Sequence, residues 1–312
     1  MIRRLTGAVV IIVLCAMPWI VDAYAISTLS RILAFGLLVL SVNLLTGVTG
    51  LPTLGQSAYF GVGAYTGAIV STTVSDLGPL QLVLSAAAGA AAAAITGPVA
   101  VRARGVPFLM ITLAIGEIGY SAAGRLDAIT HGTDGFSGIP PVVPLPGLAP
   151  LVQDGLVYYY VLVMFLILYG VVSLIVGSPF GLALRGVRDN EDRLRAIGYN
   201  TTAYALAAYC IAGALAGAAG SLWTSTQSFV APGDMGFQVA ALALLAVVIG
   251  GLGSMWGSVV GAALVILTRD YIGAYFPGHG TLLLGIVFVI AVYALPRGLS
   301  GIRRRQTSKV PS

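Results

Sequence analysis

Charged side chains are scarce in this sequence. Asp, Glu, Lys and Arg together make up 9% of its 312 residues, whereas soluble domains carry about 25%. So few charges cannot cover a water-facing surface of this size, and 58% of the residues are hydrophobic. A membrane β-barrel would show short alternating segments, but the apolar runs here are long and unbroken. The composition therefore predicts an all-α polytopic membrane protein.

Lysine and cysteine are scarcer still. The single lysine is Lys309, and a Walker A loop requires the pattern G-x-x-x-x-G-K-[S/T], so the sequence holds no such loop. If ATP powers this protein, another chain binds the ATP and its magnesium, and we predict no cofactor in this chain. Cys15 and Cys210 lie in apolar runs without metal-ligand spacing, so we also predict no metal site.

One membrane span takes about 20 apolar residues. On that length, the sequence predicts about ten transmembrane helices in a single domain, residues 1–312. The predicted spans are roughly 5–22, 27–46, 57–74, 80–100, 106–123, 156–176, 203–223, 237–252, 256–271 and 281–296.

The basic residues orient these spans. If the N-terminus is cytoplasmic, 13 of the 16 Lys and Arg residues fall in cytoplasmic segments. This bias predicts that both termini are cytoplasmic, with a cytoplasmic loop at about 177–200 and a large periplasmic loop at about 124–155. Arg3 and Arg4 before an apolar run also fit a signal peptide, and Ala23-Tyr24-Ala25 resembles a cleavage site. We favour an uncleaved first span.

Proline and glycine interrupt the apolar pattern between the second and third predicted spans. Irregular backbone at membrane depth is tolerated where it is buried in protein or lines a cavity. We therefore favour a broken or re-entrant segment that lines a transport pathway, with a tight cytoplasmic turn as the alternative. The polar residues of this segment lie close to apolar sequence, and we take them as pathway candidates: Asn43, Thr53, Gln56 and Ser57.

A second glycine-rich break follows the eighth predicted span, at Gly250–Ser258. Two such breaks in different halves of a chain point to a transporter built from an internal repeat, with its pathway at the repeat interface. A short turn followed by glycine-lined helix packing explains the second break equally well. An internal repeat is therefore one of two interpretations of the second break.

Among the residues inside predicted spans, Glu117 has the highest free-energy cost of placement in the membrane. A carboxylate at membrane depth is by default a functional residue, although a hydrogen-bond partner near the membrane interface is the alternative. We add Glu117 and Gln227 to the pathway candidates. No group of catalytic side chains shares one depth, so we predict a transporter and not an enzyme.

A polar stretch stands between two apolar runs near the middle of the chain. Residues Ser178–Gly198 carry four arginines, and a polar helix between two membrane spans is suited to touching something in the cytoplasm. This feature favours a transporter powered from outside the chain over a passive small-solute channel.

The same stretch resembles the cytoplasmic coupling loop of permeases in the branched-chain amino-acid family of ABC importers. There, a pattern close to S-P-F-G-R-A-L-R-A-I-R-E-N-E…A…G stands between two spans. Leu182 replaces a usual arginine, Asp189 replaces a usual glutamate, and Asp192–Arg195 replaces an alanine-rich stretch. The matching residues are Ser178, Pro179, Phe180, Gly181, Ala183, Leu184, Arg185, Arg188, Asn190, Glu191 and Gly198.

Three further motifs agree with that family in the right order, so the resemblance covers nearly the whole chain. The form Gly-Gln-Ser-Ala-Tyr-Phe-Gly in the first of them is similar to the LivM-type subunit and not to its LivH-type partner. The motifs are Asn43–Gly47 with Leu54–Tyr65, then Thr133–Pro140, and then Val248–Gly257, and Leu295–Leu299 also fits.

The resemblance implies a function and a set of partners. The chain would be a permease subunit in the bacterial inner membrane, working with a second homologous LivH-like permease, two cytoplasmic ATPases and a periplasmic or lipid-anchored substrate-binding protein. Branched-chain amino acids are the favoured substrates, with urea or short amides as the alternative. The residues implied in ATPase coupling are Gly181, Arg185, Arg188, Asp189, Asn190, Glu191 and Gly198.

Overall fold

The computed structural model describes residues 14–19 and 21–272, together with Gly285 and Leu299. Ten α-helices run through this part of the chain. They are α1 (Ala23–Asn43), α2 (Gln56–Thr73), α3 (Gly78–Ala100), α4 (Val106–Arg125), α5 (Asp127–Thr130), α6 (Asp154–Gly177), α7 (Pro179–Ala196), α8 (Thr201–Gln227), α9 (Phe237–Gly250) and α10 (Met255–Leu267).

The all-α expectation holds apart from one pair of very short strands. β1 (Phe136–Ser137) pairs antiparallel with β2 (Phe229–Val230). Short 3-10 turns (Met17–Trp19, Gly132–Asp134 and Pro232–Met235) and two π-helical turns (Leu44–Thr49 and Thr268–Ile272) complete the described elements.

Among the described residues, five helical segments are long and apolar enough to cross a membrane. They are Ala23–Thr49, Gly78–Ala100, Val106–Arg125, Asp154–Gly177 and Thr201–Gln227. Helices α9 and α10 have 14 and 13 residues, fewer than the roughly 20 that one span needs. The predicted spans 5–22 and 281–296 lie largely outside the described residues. The count of ten spans therefore stays a prediction.

Helix α1 is the centre of the bundle. The most apolar window of Ala23–Thr49 is 94% buried, against 22% for α3 and for α4. The N-terminal half of α1 contacts the turn after α10, where Arg31 Nη2 lies 3.1 Å from Asp270 Oδ2. Helices α3 and α4 lie at the edge of the described bundle, where only a minority of their residues are fully buried on the isolated chain.

Small residues bring α2, α3 and α8 together. Gly217 on α8 faces Gly63 on α2 and Gly89 on α3, and at each glycine an added Cβ would meet the backbone of a neighbouring helix. Such close approach is how helices associate in lipid, where burial of apolar surface contributes little. Beside this crossing, the buried Tyr59 hydroxyl lies 2.7 Å from that of Tyr209, so α2 and α8 also share a polar contact.

The segments that connect the helices lie at two opposite ends of the bundle. At the Arg-rich end, the segments 44–55, 101–105, 178–200 and 251–254 meet through the contacts described below. At the loop end, the two β-strands join 126–153 to 228–236, and Leu77 bridges to Val143. The long loop therefore folds back on its own chain at an end opposite to the polar helix α7.

Candidate functional site

The polar stretch forms helix α7, and its first turn explains two residues of the motif. Ser178 is the N-cap, with its Oγ accepting the backbone N–H of Gly181 at 3.5 Å, and Pro179 takes the first helical position, where its missing N–H costs nothing. Gly181 is buried, and a Cβ there would collide with the carbonyl oxygen of Val176. Glycine is therefore required by this contact with α6.

Helix α7 is broken at Asn190. This residue has φ −162° and ψ 94°, outside the helical region. Its Oδ1 accepts the backbone N–H of Arg193 at 2.9 Å, as an N-cap does. The sequence indicated one polar helix in this stretch, whereas the structure has two half-helices, 179–189 and 191–196. The second half ends at Gly198, whose φ of +94° is the left-handed conformation that glycine favours.

Glu191 opens the second half-helix and is bound within the chain. Arg104, in the turn between α3 and α4, donates from Nε at 2.7 Å and from Nη2 at 2.9 Å to its two carboxylate oxygens. Arg195 and the hydroxyl of Thr201 each donate at 2.9 Å to Oε1. The bidentate Arg–carboxylate geometry is the strongest form of such a pair.

These hydrogen bonds keep Glu191 charged. Arg104 holds the pKa of the Glu191 carboxyl at about 2, against an ordinary 4.5. A carboxyl whose pKa is lowered on folding stabilises the protein above its unfolded pKa and loses that contribution as the pH falls toward the folded value. The stabilisation from the pair with Arg104 is therefore fully present above about pH 5 and is lost as the pH falls toward 2. The pair does not act as a switch near neutral pH.

Arg188 ties the first half-helix to the interrupted segment. Its Nη1 donates to the carbonyl oxygen of Gly47 at 2.7 Å, and its side chain packs where a Cβ on Gly50 would stand. Its Nε lies 3.1 Å from Asp189 Oδ1 on the exposed side of the helix. Arg185 donates to the carbonyl oxygen of Val176 at 3.2 Å. Two of the predicted coupling arginines thus also hold α7 on the bundle.

The two glycine-rich breaks meet in space. Asn43 Oδ1 accepts the backbone N–H of Gly253 at 2.8 Å, and its Nδ2 donates to the carbonyl oxygen of Ser254 at 3.2 Å. A Cβ on Gly47 would collide with the backbone of Gly253. Asn43 is therefore a fully buried link between the breaks, and the structure gives it two partners within the chain.

Asn43→Leu should destabilise the protein by about 2 kcal/mol, because it removes two part-buried hydrogen bonds worth about 1 kcal/mol each. Thermal unfolding of the purified protein in mild detergent measures this effect. Gln227→Leu is the matched control, since it removes an exposed amide. Equal melting temperatures for the two variants would show that the link between the breaks contributes nothing.

Thr53, Gln56 and Ser57 lie where α2 begins against the side of α4. The backbone N–H of Leu54 donates to Thr112 Oγ1 at 3.2 Å, and Thr112 is six residues into α4, about 9 Å along it. Helix α2 therefore starts well inside the length of α4 and not at its end. This placement agrees with a broken segment at depth.

The amide of Gln56 and the hydroxyl of Ser57 are buried at the N-terminus of α2. Within the described part of the chain, neither side chain finds a hydrogen-bond partner. Thr53, by contrast, accepts the backbone N–H of Gly55 at 3.1 Å. Buried polar groups are normally paired, so Gln56 and Ser57 are the buried pathway candidates that retain free hydrogen-bonding capacity.

Glu117 and Gln227 are exposed on the isolated chain. Glu117 shares one side of α4 with Ser121 and Arg125, four and eight residues further on, so the three form a polar stripe. At the loop end, Ser121 and Arg125 line an open cavity of about 310 Å³. The structure therefore places the stripe apart from the buried Gln56 and Ser57, on another side of α4.

Several residues of this site could not be recognised from the sequence. In the sequence, Arg104 is one more positive charge in a predicted cytoplasmic turn. No local pattern indicates that it pairs with a residue 87 positions away. Thr112 reads as a small polar residue in an apolar helix. On α7 and after it, Leu182 and Ile197 expose 63% and 67% of their surface, which the sequence alone does not reveal.

Comparison with known families and proteins supports the resemblance. The family described as "Branched-chain amino acid transport system / permease component" matches residues 24–292. The high-affinity branched-chain amino acid transport system permease protein LivM of Salmonella typhimurium is 27% identical over 330 residues, covering 97% of this chain and 76% of the relative. LivM of Escherichia coli gives the same identity and coverage.

A third relative is the probable branched-chain amino acid transport permease protein LivH of Methanocaldococcus jannaschii. It is 26% identical over 293 residues, which cover 88% of this chain and 91% of the relative. No solved structure matches this chain. Because the family match extends over most of the sequence and over every described helix from α2 to α10, the chain belongs to the branched-chain amino acid transport permease family.

Proposed function

We propose that this protein is the permease subunit of an ATP-binding-cassette importer that moves small amino acids, chiefly leucine, isoleucine and valine, across the bacterial inner membrane. Residues 1–312 form one transmembrane domain of about ten spans with both termini in the cytoplasm. A LivH-like permease, two ATPases that bind ATP and magnesium, and a periplasmic or lipid-anchored binding protein complete the importer.

The observation that carries this proposal is helix α7. It stands between two membrane-length helices, α6 and α8, and presents charged residues with exposed apolar ones, Leu182 and Ile197, on the isolated chain. A few apolar anchors within a polar surface are typical of a protein interface. An ATPase groove that receives this helix accounts for both the charges and the anchors.

The proposed pathway uses the free polar groups of α2 and α4. Gln56 and Ser57 stand at the N-terminus of α2, the positive end of the helix dipole, where the carboxylate of an amino acid is favoured. Glu117 lies on the exposed stripe of α4, and a carboxylate on a membrane-length helix faces water or protein, not lipid. We assign that stripe to a separate stage of the solute pathway, apart from Gln56 and Ser57, where Glu117 meets the ammonium group of the substrate.

Glu117→Gln should therefore lower amino-acid uptake about tenfold, the effect of losing one hydrogen bond to a charged group. Glu117→Asp keeps the charge and should retain most of the uptake. The measurement is uptake of radiolabelled leucine into membrane vesicles at matched permease levels. Normal transport by the glutamine variant would remove Glu117 from the pathway.

Purification with the natural partners tests the function itself. The tagged chain, extracted in mild detergent, should bring down a second permease and two ATPases whose hydrolysis is stimulated by the liganded binding protein. The ligand preferred by that binding protein then identifies the substrate, and urea or a short amide would replace leucine in the proposal. A lone oligomer that conducts a small solute without any ATPase would favour a passive channel.

A further inference from the structure

Helix α7 is attached to the bundle on both sides of Asn190. Its first half reaches the interrupted segment after α1, through Arg188 Nη1 and the carbonyl oxygen of Gly47 at 2.7 Å. Its second half reaches the turn between α3 and α4, through Glu191 and Arg104 at 2.7 and 2.9 Å. Each attachment joins parts of the chain that are far apart in sequence.

The break at Asn190 lies between these two points. A straight helix would hold residues 186 and 194 about 12 Å apart, yet a Cβ on Gly186 would lie only 3.1 Å from Leu194 Cδ1. The two half-helices therefore fold against each other across Asn190. Backbone breaks at the ends of helical elements are where hinge motion is absorbed.

We propose that Arg104 is a positioning residue for energy coupling, and that it conveys motion of the second half of α7 to helices α3 and α4. This inference rests on the proposed function, in which ATPases move α7. The first half moves the interrupted segment through Arg188, the second half moves the α3–α4 hairpin through Glu191 and Arg104, and Asn190 lets the two halves turn separately.

The geometry favours transmission over simple anchoring of a charge. The guanidinium of Arg104 also donates to the carbonyl oxygens of Val101 and Ala103, so it grips the backbone of its own turn while it holds Glu191. The Glu191 side chain is only 20% exposed, and both of its oxygens are bound within the chain. A pull on Glu191 is therefore delivered to the backbone that connects α3 with α4, the helix of the proposed pathway.

Arg102 supplies the matched control. It occupies the same turn and is exposed, and it makes no hydrogen bond or ion pair with the part of the chain that the structure describes. A neutral substitution at residue 102 changes the charge of the turn as much as one at residue 104 but leaves Glu191 bound.

The experiment compares Arg104→Met, Glu191→Gln, the double variant and Arg102→Met in the full transporter. Leucine uptake and ATP hydrolysis are measured in the same proteoliposomes, with the amount of copurified ATPase as a reference. We expect each single variant at residues 104 and 191 to lower uptake per ATP about tenfold. The double variant should lose no more than either single one, since the two residues act as one link. Arg102→Met should behave as wild type.

The proposal is wrong if Arg104→Met and Arg102→Met differ by less than twofold in uptake per ATP. It is also wrong if the double variant loses uptake per ATP roughly a hundredfold, because the effects of two independent residues multiply. If Arg104→Met is absent from the membrane, Arg104→Lys replaces it, because lysine keeps the charge without the bidentate guanidinium. Wild-type coupling in Arg104→Lys would also refute the positioning role of Arg104. A wild-type complex without ATP-driven uptake would instead refute the proposed function.

Discussion

Gly220→Ala should strongly destabilise this protein. Gly220 lies on α8, and a Cβ there would stand closer than 3.0 Å to the Phe60 carbonyl oxygen and the Ala64 nitrogen, both in the backbone of α2. Backbone atoms cannot turn aside as a flexible side chain can, so α2 and α8 must separate. Overpacking of this kind costs about 1–3 kcal/mol, and helices joined by small residues have few other contacts to compensate.

Gly170→Ala makes the same chemical change where the structure leaves room. Gly170 is in the middle of α6, and an added Cβ there meets nothing within 4 Å. Alanine is the better helix former by up to about 1 kcal/mol, so this variant should be as stable as wild type or slightly more stable. Thermal unfolding in detergent, followed by size-exclusion chromatography, compares the two variants. Equal melting temperatures would show that α2 and α8 do not pack as closely as the structure describes.

Glutamate at both exposed apolar positions of the α7 segment should abolish binding of the ATPases. Leu182 and Ile197 are 63% and 67% exposed, so Leu182→Glu with Ile197→Glu leaves the packing of the isolated chain unchanged. In an interface, however, each carboxylate would replace an apolar anchor and be desolvated without a partner. We expect ATP-driven uptake to fall more than a hundredfold, because two anchors worth about 2 kcal/mol each are lost.

Leu148→Glu controls for this substitution. Leu148 is 55% exposed and lies at the loop end, opposite to α7. All variants should reach the membrane at wild-type levels, but only the Leu182/Ile197 double variant should purify without ATPase. If that double variant keeps both ATPases at normal stoichiometry, α7 does not dock them, and another surface of the Arg-rich end must be examined.

The position and character of α7 could be predicted from sequence because they depend on local pattern. Arginines concentrated between two apolar runs predict a polar helix outside the membrane, and Ser178-Pro179 is a helix start that needs only its neighbours. The interrupted segments were predicted for the same reason, since proline and glycine act on the backbone where they stand. The break at Asn190 was missed, because an asparagine in mid-helix is as compatible with a helix surface as with a cap.

Partners of polar side chains could not be predicted in this way. From sequence, Asn43 is a pathway candidate, and the family resemblance implies that Glu191 acts in ATPase coupling. The structure places the first on Gly253 and Ser254 and the second on Arg104. Glu117 and Arg104 show what a local pattern omits, since the carboxylate is exposed on the isolated chain and the arginine is paired with Glu191.

The sequence by itself determined that this is a helical membrane protein, where its helices are interrupted, and the family to which it belongs. All three follow from composition and from short ordered motifs. Only the tertiary structure decided which breaks touch, which glycines admit no side chain, and that α7 is held to the rest of the chain on both sides of Asn190. Those features depend on contacts between residues tens to hundreds of positions apart, and a hydrophobic pattern of period 3.6 carries no information about them.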